Sequence, residues 1–200
     1  ESDAFTIPSK LLNLNLNLNL NEPIFLRVPC EIKNQFYSKT NNKYKNQLSF
    51  LYLGRIVDFK FYSLALTIKH LDKYVKRNKI KAKFTIIGTG NYHEKLINFS
   101  RKYSNIEFEF LDDIANKELE IYLKDNFDIA FAMGTSALTC ASAGLATILL
   151  DVSYKPVKEN YKFSWLFTKQ GKTTGQKIMK KHYSKDNNHL EKLINEYIQN

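Results

Sequence analysis

Four short apolar runs and one alternating segment, separated by stretches of helical period, constrain the architecture open to this chain. SFLYLG (49–54), KFTIIG (83–88), NIEFEF (105–110), FDIAFAM (127–133) and ATILLD (146–151) each have the length and composition of a strand. Between the first two, FYSLALTIKHLDKYVKR (61–77) puts Leu64, Ile68, Leu71 and Val75 on one helical face. Residues 92–103 and KELEIYLKD (117–125) keep the same period, and TSALTCASAG (135–144) is rich in small helix-compatible residues and stops at a glycine. Strand and helix in alternation, joined by short links, predict an α/β domain: a Rossmann-like parallel sheet flanked by helices, with right-handed crossovers. Two hundred residues hold one such domain and an arm, and bury a core without disulfide staples.

The flanks differ from this pattern. Residues 12–21 read LNLNLNLNLN. As an extended N-terminal arm or strand, Leu12, Leu14, Leu16, Leu18 and Leu20 would share one face; as low-complexity sequence the same run packs poorly without a partner. Residues 22–48, with Pro23, Pro29 and many Asn and Lys, read as a linker. Residues 152–185 lack clean periodicity and hold Trp165 among several aromatics, and LEKLINEYI (190–198) is a short amphipathic helix. The expected division is an arm and linker over 1–48, a ligand-binding domain over 49–185 and a C-terminal helix over 186–200. The chain opens ESDAFTIPSK, without Met, which is expected of a piece of a longer protein. No basic-then-apolar leader opens it, and no apolar run reaches the roughly 18–20 residues that span a bilayer.

In open parallel sheets ligands sit beyond the carboxyl ends of the strands, and three glycine-marked turns fall there. The first is Gly54-Arg55, with Lys60 at the next helix start. Arg and Lys there suit a phosphate by forked hydrogen bonds and by point charge; alone, each also reads as a solvated surface cation. The second is Gly88-Thr89-Gly90, the start of a G-x-G-x-x-G with His93 where the third glycine belongs. It fits either a plain tight turn or a close backbone approach to a ligand. The third is Gly134-Thr135-Ser136, before a helix whose N-terminal N–H groups form an anion site; capping by a hydroxyl is the alternative. Asp112 and Asp113 follow a strand end as a carboxylate pair or as a cap of the next helix.

Other chemistries find little support. His70, His93, His182 and His189 have no partners at metal spacing, so no metal site is expected. No nucleophile elbow, Walker loop or Cys-His signature occurs. Cys30 and Cys140 allow one disulfide at most, and a reducing, cytoplasmic compartment fits them better. The net charge of +10 asks for an anionic partner. Eight Lys and Arg crowd residues 60–83 against Asp72, and nine Lys crowd 155–185 against Glu159. The second stretch interleaves Tyr154, Tyr161, Phe163, Trp165, Phe167 and Tyr183. Such a stretch fits a membrane interface, stacked bases, or a lysine-rich surface over core aromatics. No helix-turn-helix, zinc-finger or RNP signature accompanies it, so nucleic acid is not expected as a partner.

Taken in order, YLGRIVDFKFYSLALTIKHL, KFTIIGTGNYHEKL, IEFEFLDDIANKELEIYLKDNFDIAFAMGTSAL and ASAGLATILLD resemble the C-terminal half of a GT-B glycosyltransferase. The similar group is the retaining, glycogen-synthase-like superfamily in its bacterial surface-polysaccharide versions, and the resemblance covers roughly residues 49–151. DAFTIPSKLL and PIFLRVPCEIKNQFY are similar to the end of that family's N-terminal domain and to its interdomain crossover. The resemblance implies a donor-binding domain for a nucleoside-diphosphate sugar, transferring to a saccharide or lipid-linked acceptor in surface glycan synthesis. It implies that Arg55 and Lys60, beyond the Gly54 turn, hold the diphosphate. Gly88 and Gly90 would stand beside the donor, the Leu111-Asp112-Asp113 loop would receive the base, and Gly134, Thr135 and Ser136 would face sugar and phosphates. It implies no metal or other cofactor, a cytoplasmic protein peripheral on the inner membrane face, and a partner acceptor domain, without which the chain alone does not turn over. Four positions depart from the family. Phe61 stands where Gly follows the lysine, Phe131 and Thr139 stand for two glutamates, and Ala146 stands for Pro. Thr139 removes a carboxylate expected to contact donor hydroxyls, so a non-catalytic binding module on the same scaffold is the alternative.

Overall fold

The structure, a computed structural model, describes residues 47–169, 174–185 and 189–199 (for Asn116, Lys117 and Asp125 the backbone alone). The Leu-Asn run, the linker to residue 46 and Cys30 lie outside the described residues.

Each expected strand and helix forms. In chain order these are β1 (Gln47–Leu53), α1 (Asp58–Asn78), β2 (Lys81–Ile87), α2 (His93–Ser100), β3 (Glu107–Leu111), α3 (Asn116–Asn126), β4 (Ile129–Ala132), α4 (Thr135–Ser142) and β5 (Ala146–Leu149). A two-residue strand, β6 (Ser164–Trp165), and helix α5 (His189–Gln199) complete the fold. The sheet order is β3-β2-β1-β4-β5-β6. The first five strands run parallel and β6 joins β5 antiparallel. The sheet is therefore mixed rather than purely parallel. The aperiodic tail supplies the edge strand, and two residues are too few to show a period of two.

Alternation within the strands explains the layers. Phe50, Tyr52, Phe84, Ile86, Phe131 and Ile148 face one side, where α1 lays Leu64, Ile68, Leu71 and Val75 over them. Leu51, Leu53, Ile87, Ala130, Ala132 and Leu149 face the other, under Leu119 and Leu123 of α3 and Ala137 and Cys140 of α4. Over β1, β2, β4 and β5 both faces are covered, so these strands read as near-continuous apolar runs, whereas edge strand β3 alternates Glu and Phe and leaves Glu107 exposed. Helix α5 buries Leu190, Leu193 and Ile194 and reaches α1 through Tyr74 Oη, which donates to Asn195 Oδ1 at 2.8 Å, and an Arg77–Glu191 ion pair.

Tyr161, Phe163 and Trp165 of the tail are buried core residues, while Tyr154 and Phe167 are exposed. Buried Asp151, just past β5, holds this tail in place. It accepts hydrogen bonds from Tyr161 Oη at 2.8 Å and from the Gln176 N–H at 2.9 Å. Cys140 is a free thiol, and burial pushes it up to about 12.

Candidate functional site

Strand order reverses beside β1: β2 and β3 lie to one side, β4 and β5 to the other. The loops after β1 and β4 therefore part above the sheet and leave a crevice.

The loop after β1 is fixed from below and from the side. Buried Tyr52 donates its hydroxyl to the Arg55 carbonyl at 3.0 Å. Ile56 N–H donates to the Thr89 carbonyl at 2.8 Å, and Tyr92 N–H donates to the Ile56 carbonyl at 3.0 Å. A Cβ on Gly88 would run into the Gly54 carbonyl, and one on Gly90 into the Ile56 carbonyl. The Gly-x-Gly turn is thus needed because two loops touch there; its glycines stand behind the Arg55 loop and hold it. His93, in place of a third glycine, begins α2 and sets its ring edge-on to Phe110.

Lys60 lies in the first turn of α1 and reaches back over Gly54. A Cβ placed on Gly54 would lie 3.2 Å from Lys60 Nζ and 3.4 Å from Ser136 Oγ. The ammonium and the hydroxyl thus converge above a position that glycine keeps open. Burial, and then the charge of Arg55, hold the Lys60 amine below its ordinary range. Among the described residues no carboxylate forms an ion pair with either cation.

The opposite wall is the start of α4. Gly134 is its N-cap at φ +66° and ψ −144°, a backbone conformation that only glycine adopts readily. No side chain caps the helix, so neither hydroxyl serves as an ordinary cap. The Gly134 N–H donates to the Thr174 carbonyl at 2.5 Å. The next N–H groups, of Thr135 and Ser136, precede the helix's own acceptors and carry the positive end of its dipole.

Between these walls lies a cavity of about 530 Å³. Arg55, Lys60, Gly134, Thr135 and Ser136 line it, as the sequence indicated. Phe59, Met133, Val152, Thr174 and Gly175 complete the lining and were not singled out from the sequence. Their signal was weak: Phe59 reads as a helix residue, and the rest come from strand ends and the aperiodic tail. Gly175, at φ +130°, packs against the Leu150 carbonyl and Met133, which brings the tail loop onto the site.

The other expected residues lie elsewhere. Asp112 and Asp113 are exposed beyond β3 and do not line the cavity. They do not cap α3 either, whose N-cap is Ala115; Asp113 Oδ2 instead accepts from Thr89 Oγ1 at 3.3 Å. Thr139 sits one turn into α4 and donates its hydroxyl to the Thr135 carbonyl at 3.2 Å. Phe131 is fully buried between Phe50 and Phe84. Among the described residues no group of three or more His, Cys, Asp or Glu is placed to hold a metal ion.

The crevice at the switch point of this Rossmann-like sheet is lined by two cations and a helix N-terminus, an arrangement suited to an anionic group. No known family profile and no curated protein matches the chain. Among solved structures it is similar to an S. aureus TarM mutant in complex with fondaparinux, alpha-GlcNAc-glycerol and UDP, with a TM-score of 0.52 and 15% identity. That match covers 97% of this chain and 36% of the TarM chain, so the chain spans about a third of its length. Two further matches are the catalytic domain of a Helicobacter pylori cholesterol-alpha-glucosyltransferase and the lipopolysaccharide outer core galactosyltransferase WaaB in its apo form. The first has a TM-score of 0.46 at 15% identity, covering 76% of this chain and 87% of that one. The second has 0.47 at 18%, covering 85% and 46%. The fold likeness rests on the first of the three, and the fold is that of the Rossmann-like C-terminal half of a GT-B architecture.

Proposed function

We propose that this chain binds a nucleoside-diphosphate sugar by its diphosphate and acts as the donor half of a glycosyltransferase. One observation carries the reading: Arg55, Lys60 and the first turn of α4 converge on a single cavity at the switch point. Two cations that pair with no carboxylate among the described residues, and two N–H groups ahead of a helix, suit two linked phosphates. The base would lie toward the Leu111–Asp113 loop beyond β3. As the sugar–phosphate bond breaks, charge grows on the leaving diphosphate, and groups already aimed at it lower the barrier. This leaving-group role of Arg55, Lys60 and α4 needs no cofactor in the proposed scheme. The sugar would pass to a saccharide or lipid-linked acceptor held by a second domain, whose closure excludes water. Among the described residues no helix is long and apolar enough to cross a membrane; a lipid-linked acceptor would be met from the membrane surface, on the cytoplasmic side.

UDP in the TarM complex makes uridine nucleotides the first ligands to titrate. Arg55→Ala with Lys60→Ala should abolish binding of UDP, GDP and ADP while the fold persists by circular dichroism. Unchanged affinity would remove the site assignment.

A second reading has its own observation. Among the described residues none lining the cavity is a carboxylate, and Thr139 turns its hydroxyl to the backbone. That favours a module that binds the nucleotide without transferring its sugar. Sugar transfer by the chain joined to an acceptor domain, lost on Lys60→Ala, would exclude it.

A further inference from the structure

The cavity lining is of two unlike kinds. Its cations and helix start account for a diphosphate. Phe59, Met133 and Val152 add apolar surface, and a cavity of this size holds more than two phosphates. Beside it stands Tyr154, 60% exposed, with its ring centroid 6.0 Å from that of Phe59 and tilted by 49°.

Tyr154 is held in this exposed position. Val152 N–H donates to the Gln176 carbonyl at 2.8 Å and Ser153 N–H to the Phe59 carbonyl at 2.9 Å. The Ser153 hydroxyl donates to the Lys155 carbonyl at 2.6 Å and accepts from its N–H at 3.3 Å. A large aromatic side chain favours burial. This one is fixed at the surface by bonds on both sides, against a residue that lines the cavity.

Resting on the nucleotide-sugar reading, we propose that Phe59 and Tyr154 form an aromatic platform for the hexose ring of the donor. Direction decides which end of the donor lies there. The β3 and β5 loops flank the β1–β4 crevice on opposite sides. A ligand whose diphosphate spans the crevice sends one end toward Asp112 and the other toward Val152 and Tyr154. With the base toward β3, the sugar takes the aromatic end, laying its C–H face on the rings. Among the described residues the lining offers the sugar hydroxyls no carboxylate, so the ring face is left to supply the contact.

The test is calorimetric titration of the chain with UDP, GDP and ADP, and with UDP-glucose, GDP-mannose and ADP-glucose. Wild type, Tyr154→Ala and Tyr154→Phe are compared, with thermal midpoints confirming that exposed position 154 leaves the fold intact. Tyr154→Ala should weaken the nucleotide hexose about fivefold to tenfold and leave the bare nucleoside diphosphate within about twofold. Tyr154→Phe should retain wild-type affinity for both. Equal losses on diphosphate and nucleotide hexose would overturn the platform, because the ring would then serve the nucleotide. Unchanged affinity for both would overturn it too. Binding of a bare diphosphate without its hexose conjugate would overturn the platform and leave the diphosphate site standing. Failure of wild type to bind any of the six would remove both readings together.

Discussion

Replacing Lys60 by Met keeps most of the aliphatic stem and removes only the charge, so it isolates the ammonium from the packing of α1. That ammonium is held half-buried beside Arg55, and both burial and the like charge lower its pKa. A dianion placed between the two cations would offset that repulsion. Two unit charges about 4 Å apart interact by about 4 kcal/mol at the effective dielectric of a protein surface. Hydrogen bonds to charged groups contribute about 1.5–3 kcal/mol net. For a partly buried donor the middle of that range, about 2 kcal/mol, predicts roughly a 30-fold loss of nucleoside-diphosphate affinity. Arg55 is exposed, so Arg55→Met should lose only severalfold and lose most of that in high salt. The sign of the stability change is opposite: Lys60→Met removes the repulsion and should leave the thermal midpoint equal or higher. The pH dependence follows from the same shift. Only the protonated amine attracts phosphate, so affinity holds below the free-state pKa of Lys60 and falls as pH rises through it. That decline should begin at lower pH than for an ordinary lysine, and be absent in Lys60→Met. Calorimetry with UDP or inorganic pyrophosphate, paired with thermal melts, reads all of this. Affinity of Lys60→Met within twofold of wild type, at low salt, would refute the electrostatic account of the cavity.

Gly90→Ala should destabilise the fold by about 2 kcal/mol or more, because φ is +151° and the new Cβ meets the Ile56 backbone. Gly134→Ala meets nothing within 4 Å and should lose only its φ +66° strain, about 1–2 kcal/mol; a reversed order in urea melts would contradict this. Asp151→Ala strips the partner from the buried Tyr161 hydroxyl and frees the Gln176 N–H, at about 3 kcal/mol, where Tyr161→Phe should lose about 1 kcal/mol. Asp151→Ala should also weaken nucleotide binding without lining the cavity, since it anchors the loop carrying Thr174 and Gly175; equal affinities would show that the loop is held by other means. Burial alone would raise Glu159, but hydrogen bonds and charges from Lys69 and Lys73 hold it down at about 2. A depressed carboxylate stabilises the fold above its unfolded value of 4.5 and loses that contribution as pH falls from there toward about 2. With its side chain 35% exposed, solvent screening reduces the effect to about 1 kcal/mol. Wild type and Glu159→Gln should therefore differ in urea midpoint near neutrality and converge in acid; a constant difference would refute the linkage.

What was legible in the sequence follows from what each segment had to do. Four strands covered on both faces need apolar runs, the edge strand β3 needs only alternation, and α1 needs Leu64, Ile68, Leu71 and Val75 at helical spacing to lie over them. These are one-dimensional demands, and the sequence displays them. Arg55, Lys60 and Gly134–Ser136 were legible for a related reason. Residues at the carboxyl ends of β1 and β4 must face the crevice once the strand order reverses between them. Strand β6 and the Thr174–Gly175 wall obey no period; β6 is placed by its pairing with β5, and the wall by contacts to Asp151 and Leu150. Asp112 and Asp113 lie at the same edge of the sheet, past the end of β3, and stand outside the cavity that Arg55 and Lys60 line.

The Gly-x-Gly turn shows why a motif and its mechanism separate. A glycine pair after a strand is compatible with a ligand pressed against bare backbone. Here the object pressed against it is the chain's own Gly54–Ile56 loop. The cations that line the cavity stand one loop further forward, on Arg55 and Lys60. Evolution of a side chain at position 88 or 90 would thus move the cations by displacing the backbone beneath them, although neither glycine touches the cavity. A Gly90→Ala protein stabilised by a co-solvent should still bind nucleotide more weakly than wild type. Full affinity in the refolded variant would show that the Arg55 loop holds its shape without the turn behind it.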